Sequence, residues 1–355
     1  MILYDFSSLI HRSIFTAIKN TNPHKKDKKY VTSEYINLCI HKILTELLEV
    51  YRFYNAEYKD LVICLDDHSR AYWRKEIYPE YKEQRKAIRE ESEVNYQEVF
   101  KHLDVLVKVI NDYTPFKSFA VPGAEADDLI AVLTKRYAPF EKILIHSPDK
   151  DMIQLHHFGD VKQYSAITNK FITEEDKGEH WELCHICLGD VSDNVPKITD
   201  NTIFSKNFKE YLKSKNINIT ELEYYHLKDK SIFSDYNKLN KKNELDIFDN
   251  PRFGEATLLK KIKEFGSLDK FLDSNPLYRI QYNRNKVLVL EGGIPAKIET
   301  DIIREYNNSA TTFNLEKLEM YLKHYELNTL IIEFKNLSSQ KSDIIPLTAD
   351  NCGWI

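Results

Sequence analysis

The sequence predicts an α/β protein: a mostly parallel sheet flanked by helices, followed by a mainly helical C-terminal region. Three observations carry this. Short apolar runs alternate with helically spaced apolar residues up to about residue 175. The runs are followed by acidic residues, and beyond about residue 180 helical periodicity takes over.

The elements follow in order. MILYDF at 1–6 reads as a strand leading into a turn, and EYINLCIHKILTELLEVYRFY at 34–54 as an amphipathic helix. DLVICLDD at 60–67 is a second strand ending in carboxylates. Residues 70–90 mix aromatics with both charges, a helical stretch interrupted by Pro79. NYQEVFKHLDVLVKVINDY is helical; SFAVPGAEADDLIAVLTKRYA reads strand, turn, helix; the next strand lies at 142–146. DVKQYSA and KFIT are candidate edge strands. Residues 200–250, rich in Lys, Asn and Asp, read as an insertion. FGEATLLKKIKEFGSLDKFL then gives helix–turn–helix, with further helices expected at 278–290, 296–307 and 314–323. The chain has nine glycines, so Gly123, Gly189 and Gly254 are expected where the backbone has special demands.

With 355 residues, 42% of them hydrophobic and 30% charged, the chain has ample core for about two globular domains. No apolar run suits a membrane span and no charged leader opens the sequence, so a cytoplasmic protein without membrane partners is expected. The net charge of −5 looks wrong for a nucleic-acid binder. An acidic cluster that takes up divalent cations would lower the total without repelling a polyanion once loaded. The five cysteines are scattered, and Cys184 and Cys187 lack the further ligands of a zinc site, so buried helix thiols are the better reading.

The strand ends carry the chemistry. Asp5 ends the first strand, and Asp66 and Asp67 end the second. Glu125, Asp127 and Asp128 open the helix after the third, and Asp149 and Asp151 follow the fourth. Asp190 and Asp193 lie in GDVSDNVP. Any one of these reads best as a helix cap worth about 1 kcal/mol. In a parallel sheet, however, all the strand ends converge on one edge. Two carboxylates about 4 Å apart repel by roughly 4 kcal/mol at an effective dielectric of 20, a cost that capping alone does not offset. Hard divalent cations remove it, and two such ions clamp a phosphodiester for in-line attack. The set therefore points to two-metal phosphodiester hydrolysis.

Together and in this order, DFSSLIHRS, ICLDDHSRAYWRKEIYPEYKEQRKAIREES, EADDLIAVL, HSPDKDMIQL and GDVSDNVP resemble the flap-endonuclease / 5′-to-3′ exonuclease family. The likeness runs over residues 1–200 and resumes over about 251–310. It implies a PIN-like nuclease domain at 1–183 with a helical arch at about 68–97. It also implies a helical DNA-binding domain at 184–355, with a helix–turn–helix at about 251–272 and an insertion at about 200–250. The implied activity is Mg²⁺-dependent removal of RNA primers and 5′ flaps during DNA replication. The substrates would be RNA–DNA hybrids and 5′-flap or duplex DNA, cut near the 5′ end to leave a 5′-phosphate. Carried over by position, Asp5, Asp66, Asp127 and Asp149 would hold one ion, and Asp151, Asp190 and Asp193 the second. Glu125 and Asp128 would act through waters, and Mn²⁺ would substitute for Mg²⁺. Asp67 matches no ligand position.

In YWRKEIYPEYKEQR, Arg74, Lys75, Lys82 and Arg85 interleave with aromatics. Unplaced, such a segment reads as a solvated amphipathic helix; after an active-site strand it suggests phosphate steering and base stacking. The resemblance matches a Tyr-Lys-x-x-Arg to Tyr81, Lys82 and Arg85. Lys82 and Arg85 would then contact the scissile phosphate, and Tyr81 would stack on a terminal base. PRFGEATLLKKIKEFG resembles the family's duplex-binding segment, with Gly254 in the turn and Lys260 and Lys261 nearby, gripping the backbone independently of sequence. The family's paired glycines are reduced to one here, which counts against its K⁺ ion. A monomer is expected, with a single-stranded-DNA-binding protein or sliding clamp as further partners. The Lys-rich insertion reads equally as an extended DNA path or a solvated surface, and DNCGWI reads better as a plain tail than as a docking peptide. The rivals are a PIN-type endoribonuclease and a sequence-independent DNA-binding protein without activity. The full carboxylate set opposes the second; the basic arch segment and the helix–turn–helix oppose the first.

Overall fold

Continuous runs of β-branched and aliphatic residues, too short for helices, build a sheet covered on both faces. The computed structural model describes residues 1–21, 33–85, 95–176, 178–227, 236, 247–249, 252–309 and 311–342. Among the described residues are six strands: β1 Ile2–Asp5, β2 Leu61–Cys64, β3 Lys117–Phe119, β4 Ile143–His146, β5 Val161–Ser165 and β6 Lys170–Ile172. Their order is β3-β2-β1-β4-β5-β6. β1 to β5 are parallel and β6 runs antiparallel to β5. Every residue of β1, β2 and β4 is buried. This is the expected fold class, a mostly parallel sheet flanked by helices.

The chain divides into two compact units. The first comprises Met1–Tyr72, Ile88–Glu174 and Pro295–Ile355 and contains the sheet. Helices Ser33–Tyr58 and Tyr96–Tyr113 bury Leu44, Leu47, Val99 and Leu106 in one core with Ile2 and Ile63 of the strands. This division differs from the boundary expected at 183/184. Helices Leu315–His324 and Asn328–Ser342 return to the first unit, adding Leu318, Leu322, Phe334 and Leu337 to its core. The second of these two helices was not anticipated from the sequence.

One local expectation is corrected directly after β1. A turn was expected there, yet helix Phe6–Thr21 starts at once, because Asp5 Oδ1 accepts the Ser8 backbone N–H at 3.1 Å. Asp5 is both strand end and helix cap. Beneath it lies a buried polar network: Glu46 accepts hydrogen bonds from Tyr4 Oη and, at 2.8 Å, from Arg12 Nη2.

The second unit comprises Trp73–Ala87 and Glu175–Ile294. One of its cores gathers Cys187, Ile198, Phe253, Leu258, Phe271 and Leu272 from helices Trp181–Leu188, Glu255–Phe265 and Leu268–Asp273 and the loops between. Cys187 is a buried thiol raised to about 12 by that burial. The insertion has a second core of its own, built by Phe204, Phe208, Leu212, Tyr224, Tyr236 and Ile247. Phe204, Phe208, Tyr224 and Tyr236 are buried there, while Lys206, Lys209, Lys213 and Lys215 are exposed. Residues 86–94 of the expected arch, residues 228–235 and 237–246 of the Lys-rich insertion, and the C-terminal 343–355 lie outside the described residues. No described helix is long and apolar enough to cross a membrane.

Candidate active site

Strand register sets the geometry of the first unit's carboxylates. Asp5 pairs with Cys64, and Tyr4 with His146. Asp66 thus lies just past the carboxyl end of β2, and Ser147 and Asp149 just past that of β4. Asp5 is 8% exposed, and its Oδ2 accepts the Ser147 hydroxyl at 2.9 Å. Burial pushes the Asp5 carboxyl above its ordinary range; the Ser8 N–H opposes this and the nearby Asp66 charge adds to it. Asp66 Oδ2 accepts Ser7 Oγ at 2.6 Å and its Oδ1 accepts Ala126 N at 2.8 Å, tying β2 to the start of helix Ala126–Tyr137. The Cys64 thiol is raised by burial, and the charges of Asp5 and Asp127 add to it.

The fourth strand end is built around Ser147. Its hydroxyl donates to Asp5 and accepts the Asp149 backbone N–H at 3.2 Å. Asp149 Oδ1 accepts Asp151 N at 2.9 Å and caps the 3₁₀ helix Lys150–Phe158. Asp5, Asp66 and Asp149 therefore stand at the carboxyl ends of adjacent strands, and Asp127 lies in the first turn of the helix after β3.

Glu125 and Asp128, expected to act through waters, also shape the local backbone. They cap helix Ala126–Tyr137 reciprocally: Glu125 accepts Asp128 N, and Asp128 Oδ2 accepts Glu125 N at 2.9 Å. Asp128 is wholly buried. Asp67, assigned no ligand role, closes a turn by accepting from Ser69 Oγ at 2.6 Å and Gly123 N at 2.9 Å. Gly123 has φ +81°, as a glycine at that turn requires.

In the second unit, Asp190 and Val195 form a narrow bridge around the acidic loop. Asp190 Oδ1 accepts Ser192 N at 2.6 Å. Asp193 lies between cations: its Oδ1 is 2.6 Å from Arg85 Nη2, and its Oδ2 is 3.3 Å from Lys82 Nζ and accepts Tyr81 Oη at 2.9 Å. Burial alone would raise this carboxyl; Lys82 and Arg85 hold it below its usual value. Lys82 has φ +56°, strained for a side chain this size, and its N–H donates to Asp193 O at 2.9 Å. The expected phosphate-contacting pair and one expected metal ligand thus form a single ion-paired group.

Two surface roles are corrected. Arg74 is 2% exposed, with Nε on Leu288 O at 3.1 Å and Nη2 3.5 Å from Glu291, so it does not steer phosphate from the surface. Tyr81, also 2% exposed, has no open face on which a base could stack. Lys75 is half-buried beside Arg74 on the one-turn helix Arg74–Ile77, which ends before Pro79. Gly254 precedes helix Glu255–Phe265 with φ −137°, an extended backbone open to any residue, and the turn after that helix falls at Gly266 with φ +83°. Lys260 and Lys261 are on that helix, 3.9 and 2.9 Å from Glu264.

Sequence reasoning missed Ser7 and Ser147, which orient Asp66 and Asp5. Ser147 had a signal: a serine two residues before an aspartate at a strand end is placed to cap the turn. Ser7 had none. Missed too was Asn285, wholly buried, whose Nδ2 donates to Ile186 O at 3.0 Å and Pro196 O at 2.7 Å across the base of the acidic loop.

Carboxylates thus stand at the carboxyl ends of adjacent parallel strands, the edge where open α/β sheets bind ligands. The chain belongs to the 5′-3′ exonuclease family, whose N-terminal resolvase-like domain matches residues 1–182. Ribonuclease H of Enterobacteria phage T4 is 31% identical over 201 residues, covering 55% of this chain and 62% of that protein. Flap endonuclease Xni of a Shewanella species is 31% identical over 157 residues, 44% of this chain and 50% of the relative. Each match thus spans less than two thirds of the relative's own length. Among solved structures, the T5 D15 protein co-crystallized with metal ions has the same fold, with a TM-score of 0.52 at 17% identity over 87% of this chain and 98% of that one.

Proposed function

We propose that this chain is a divalent-metal-dependent 5′ nuclease that removes RNA primers and 5′ flaps, acting on RNA–DNA hybrids and on flap or duplex DNA. The observation that supports the reading is the placement of Asp5, Asp66 and Asp149 at the carboxyl ends of adjacent strands with Asp127 in the first turn of the next helix, and Ser147 bonded to the Asp5 carboxylate and the Asp149 backbone N–H. The donor set is all oxygen and anionic, and Asp5 is raised by its own burial and by Asp66, so a hard dication relieves the group as it binds. Mg²⁺ is the expected ion, with Mn²⁺ as substitute. When bound, it supplies Lewis-acid stabilisation of phosphodiester oxygens and activation of water. The protein's own part is orientation: Ser7, Ser8, Ser147 and the Ala126 N–H fix the carboxylates, so little reorganisation is needed when substrate arrives. Asp190 and Asp193 are proposed to serve a second ion. Lys82 and Arg85 are proposed to bind substrate phosphate, and Lys260 and Lys261 the duplex backbone. The names of the T4 and Shewanella relatives support the substrate class.

The test is cleavage of a 5′-labelled flap duplex and a matched RNA–DNA hybrid in Mg²⁺ and in EDTA. Metal-dependent release of products from the 5′ side is the expected result, and the two rates give the preference. No cleavage of either, with single-stranded RNA cut internally, would overturn the reading in favour of an endoribonuclease.

A further inference from the structure

We infer that Gln163 is a positioning residue for the metal-dependent chemistry, fixing the loop that carries Ser147 and Asp149 and through it the Asp5 carboxylate. This inference rests on the proposal that Asp5 and Asp149 hold a cation.

Gln163 sits in β5 opposite Ile145 of β4 and is wholly inaccessible to solvent. An amide in the middle of a buried strand is costly unless all its polar atoms are matched. Here they are. Its Nε2 donates to Ser147 O at 3.0 Å and to Asp149 O at 2.6 Å, using both hydrogens. Its Oε1 lies 3.2 Å from His156 Nε2 on the 3₁₀ helix. The amide's orientation is therefore settled: two carbonyl oxygens require the NH₂ end, and Oε1 requires a hydrogen on His156 Nε2.

The two anchored carbonyls flank Pro148, which has no N–H to contribute to the turn. Residue 147 in turn holds both carboxylate positions, its hydroxyl on Asp5 Oδ2 and on Asp149 N. A chain of hydrogen bonds thus runs from a buried amide, through one turn, to the Asp5 carboxylate and to the backbone of Asp149. An apolar side chain of the same volume would fill β5 equally well but leave Ser147 O and Asp149 O unmatched, freeing the turn to rotate. Groups that orient metal ligands typically contribute about 10- to 100-fold in metal affinity.

The test is Mn²⁺ binding to the full chain, measured by electron paramagnetic resonance without nucleic acid, beside thermal unfolding and the Mg²⁺ concentration giving half-maximal cleavage. Gln163→Met keeps the packing and removes the donors. It should weaken Mn²⁺ binding about 10-fold and raise the Mg²⁺ requirement in proportion, with high Mg²⁺ restoring most of the rate. Mn²⁺ affinity within twofold of wild type, whatever the unfolding temperature, would overturn the inference and leave Gln163 a core filler. If Gln163→Met does not fold, His156→Phe removes the partner of Oε1 and should weaken Mn²⁺ binding in the same direction; unchanged binding would again overturn it. Asp149→Asn separates the two levels. If it binds Mn²⁺ as wild type does, the carboxylate site itself fails; if it loses binding while Gln163→Met does not, only the role of Gln163 falls.

Discussion

Arg85 Nη2 lies 2.6 Å from Asp193 Oδ1, and Lys82 Nζ reaches the other oxygen of the same carboxylate at 3.3 Å. Gln84 adds bonds to the carbonyls of Val191 and Ser192, so the Lys82–Arg85 turn and the acidic loop are held as one piece. A cation pair held this way is oriented before substrate arrives. Lys82→Ala should then lower kcat about 100-fold while changing KM far less, as expected for a group that meets charge developing in the transition state. Steady-state kinetics on a flap duplex checks it; a purely KM effect would make Lys82 a simple binding residue.

The carboxylate edge gives a sharper expectation. Asp149→Asn keeps the shape that caps the 3₁₀ helix and removes the charge. It should reduce turnover by on the order of 10³-fold, the loss of several kcal/mol of metal-assisted stabilisation. Flap-duplex affinity measured by fluorescence anisotropy in Ca²⁺ should stay near wild type. Full turnover in both Asp149→Asn and Asp5→Asn would remove these residues from the site.

His146 makes stability depend on pH. Its ring is buried, stacked on Tyr4 with centroids 4.3 Å apart, and burial lowers its pKa from 6.5 to about 4. Between those values the unfolded chain binds the proton and the folded chain does not. The ring's contribution is therefore complete above about pH 6.5 and is lost as pH falls towards 4, by roughly 3 kcal/mol in all. The raised carboxyl of Asp5 acts in the opposite direction, so the comparison is with His146→Phe, which retains a ring against Tyr4. Urea unfolding at pH 7 and pH 4.5 should show the variant losing less stability than wild type; parallel losses would mean that His146 is not the group responsible.

Gly189 opens the acidic loop with φ +65°, and a Cβ there would lie 2.2 Å from Val195 O and 2.6 Å from Pro196 O. Those atoms are backbone and cannot rotate away. Gly189→Ala should destabilise the protein by about 2 kcal/mol or more, from the left-handed backbone and the clash together. Thermal unfolding reads the loss, and an unchanged midpoint would show that the loop can be rebuilt cheaply.

Much of this was legible in the chain itself. MILYD, LVICLDD and ILIHSPD announce buried strands that end in carboxylates, and parallel topology sends every such end to one edge. Periodicity likewise placed helices Pro276–Val289, Ala296–Asn308 and Leu315–His324 to within a residue or two. Gly254 misled because scarcity of glycine is a signal about the chain, whereas φ is decided residue by residue.

The sequence by itself determined the fold class, the strand ends and the residue types gathered there, since these depend on local apolar period and on a topology with few alternatives. Tertiary structure alone decided what each polar side chain meets. Arg74 and Tyr81 share a segment with Lys82 and Arg85, yet the first two are 2% exposed and the last two face Asp193. Glu125 and Asp128 bond each other's backbone, and Gln163 reaches a turn on the neighbouring strand. A hydrogen bond depends on position to a few tenths of an ångström and on direction, and for residues far apart in the chain only packing fixes both.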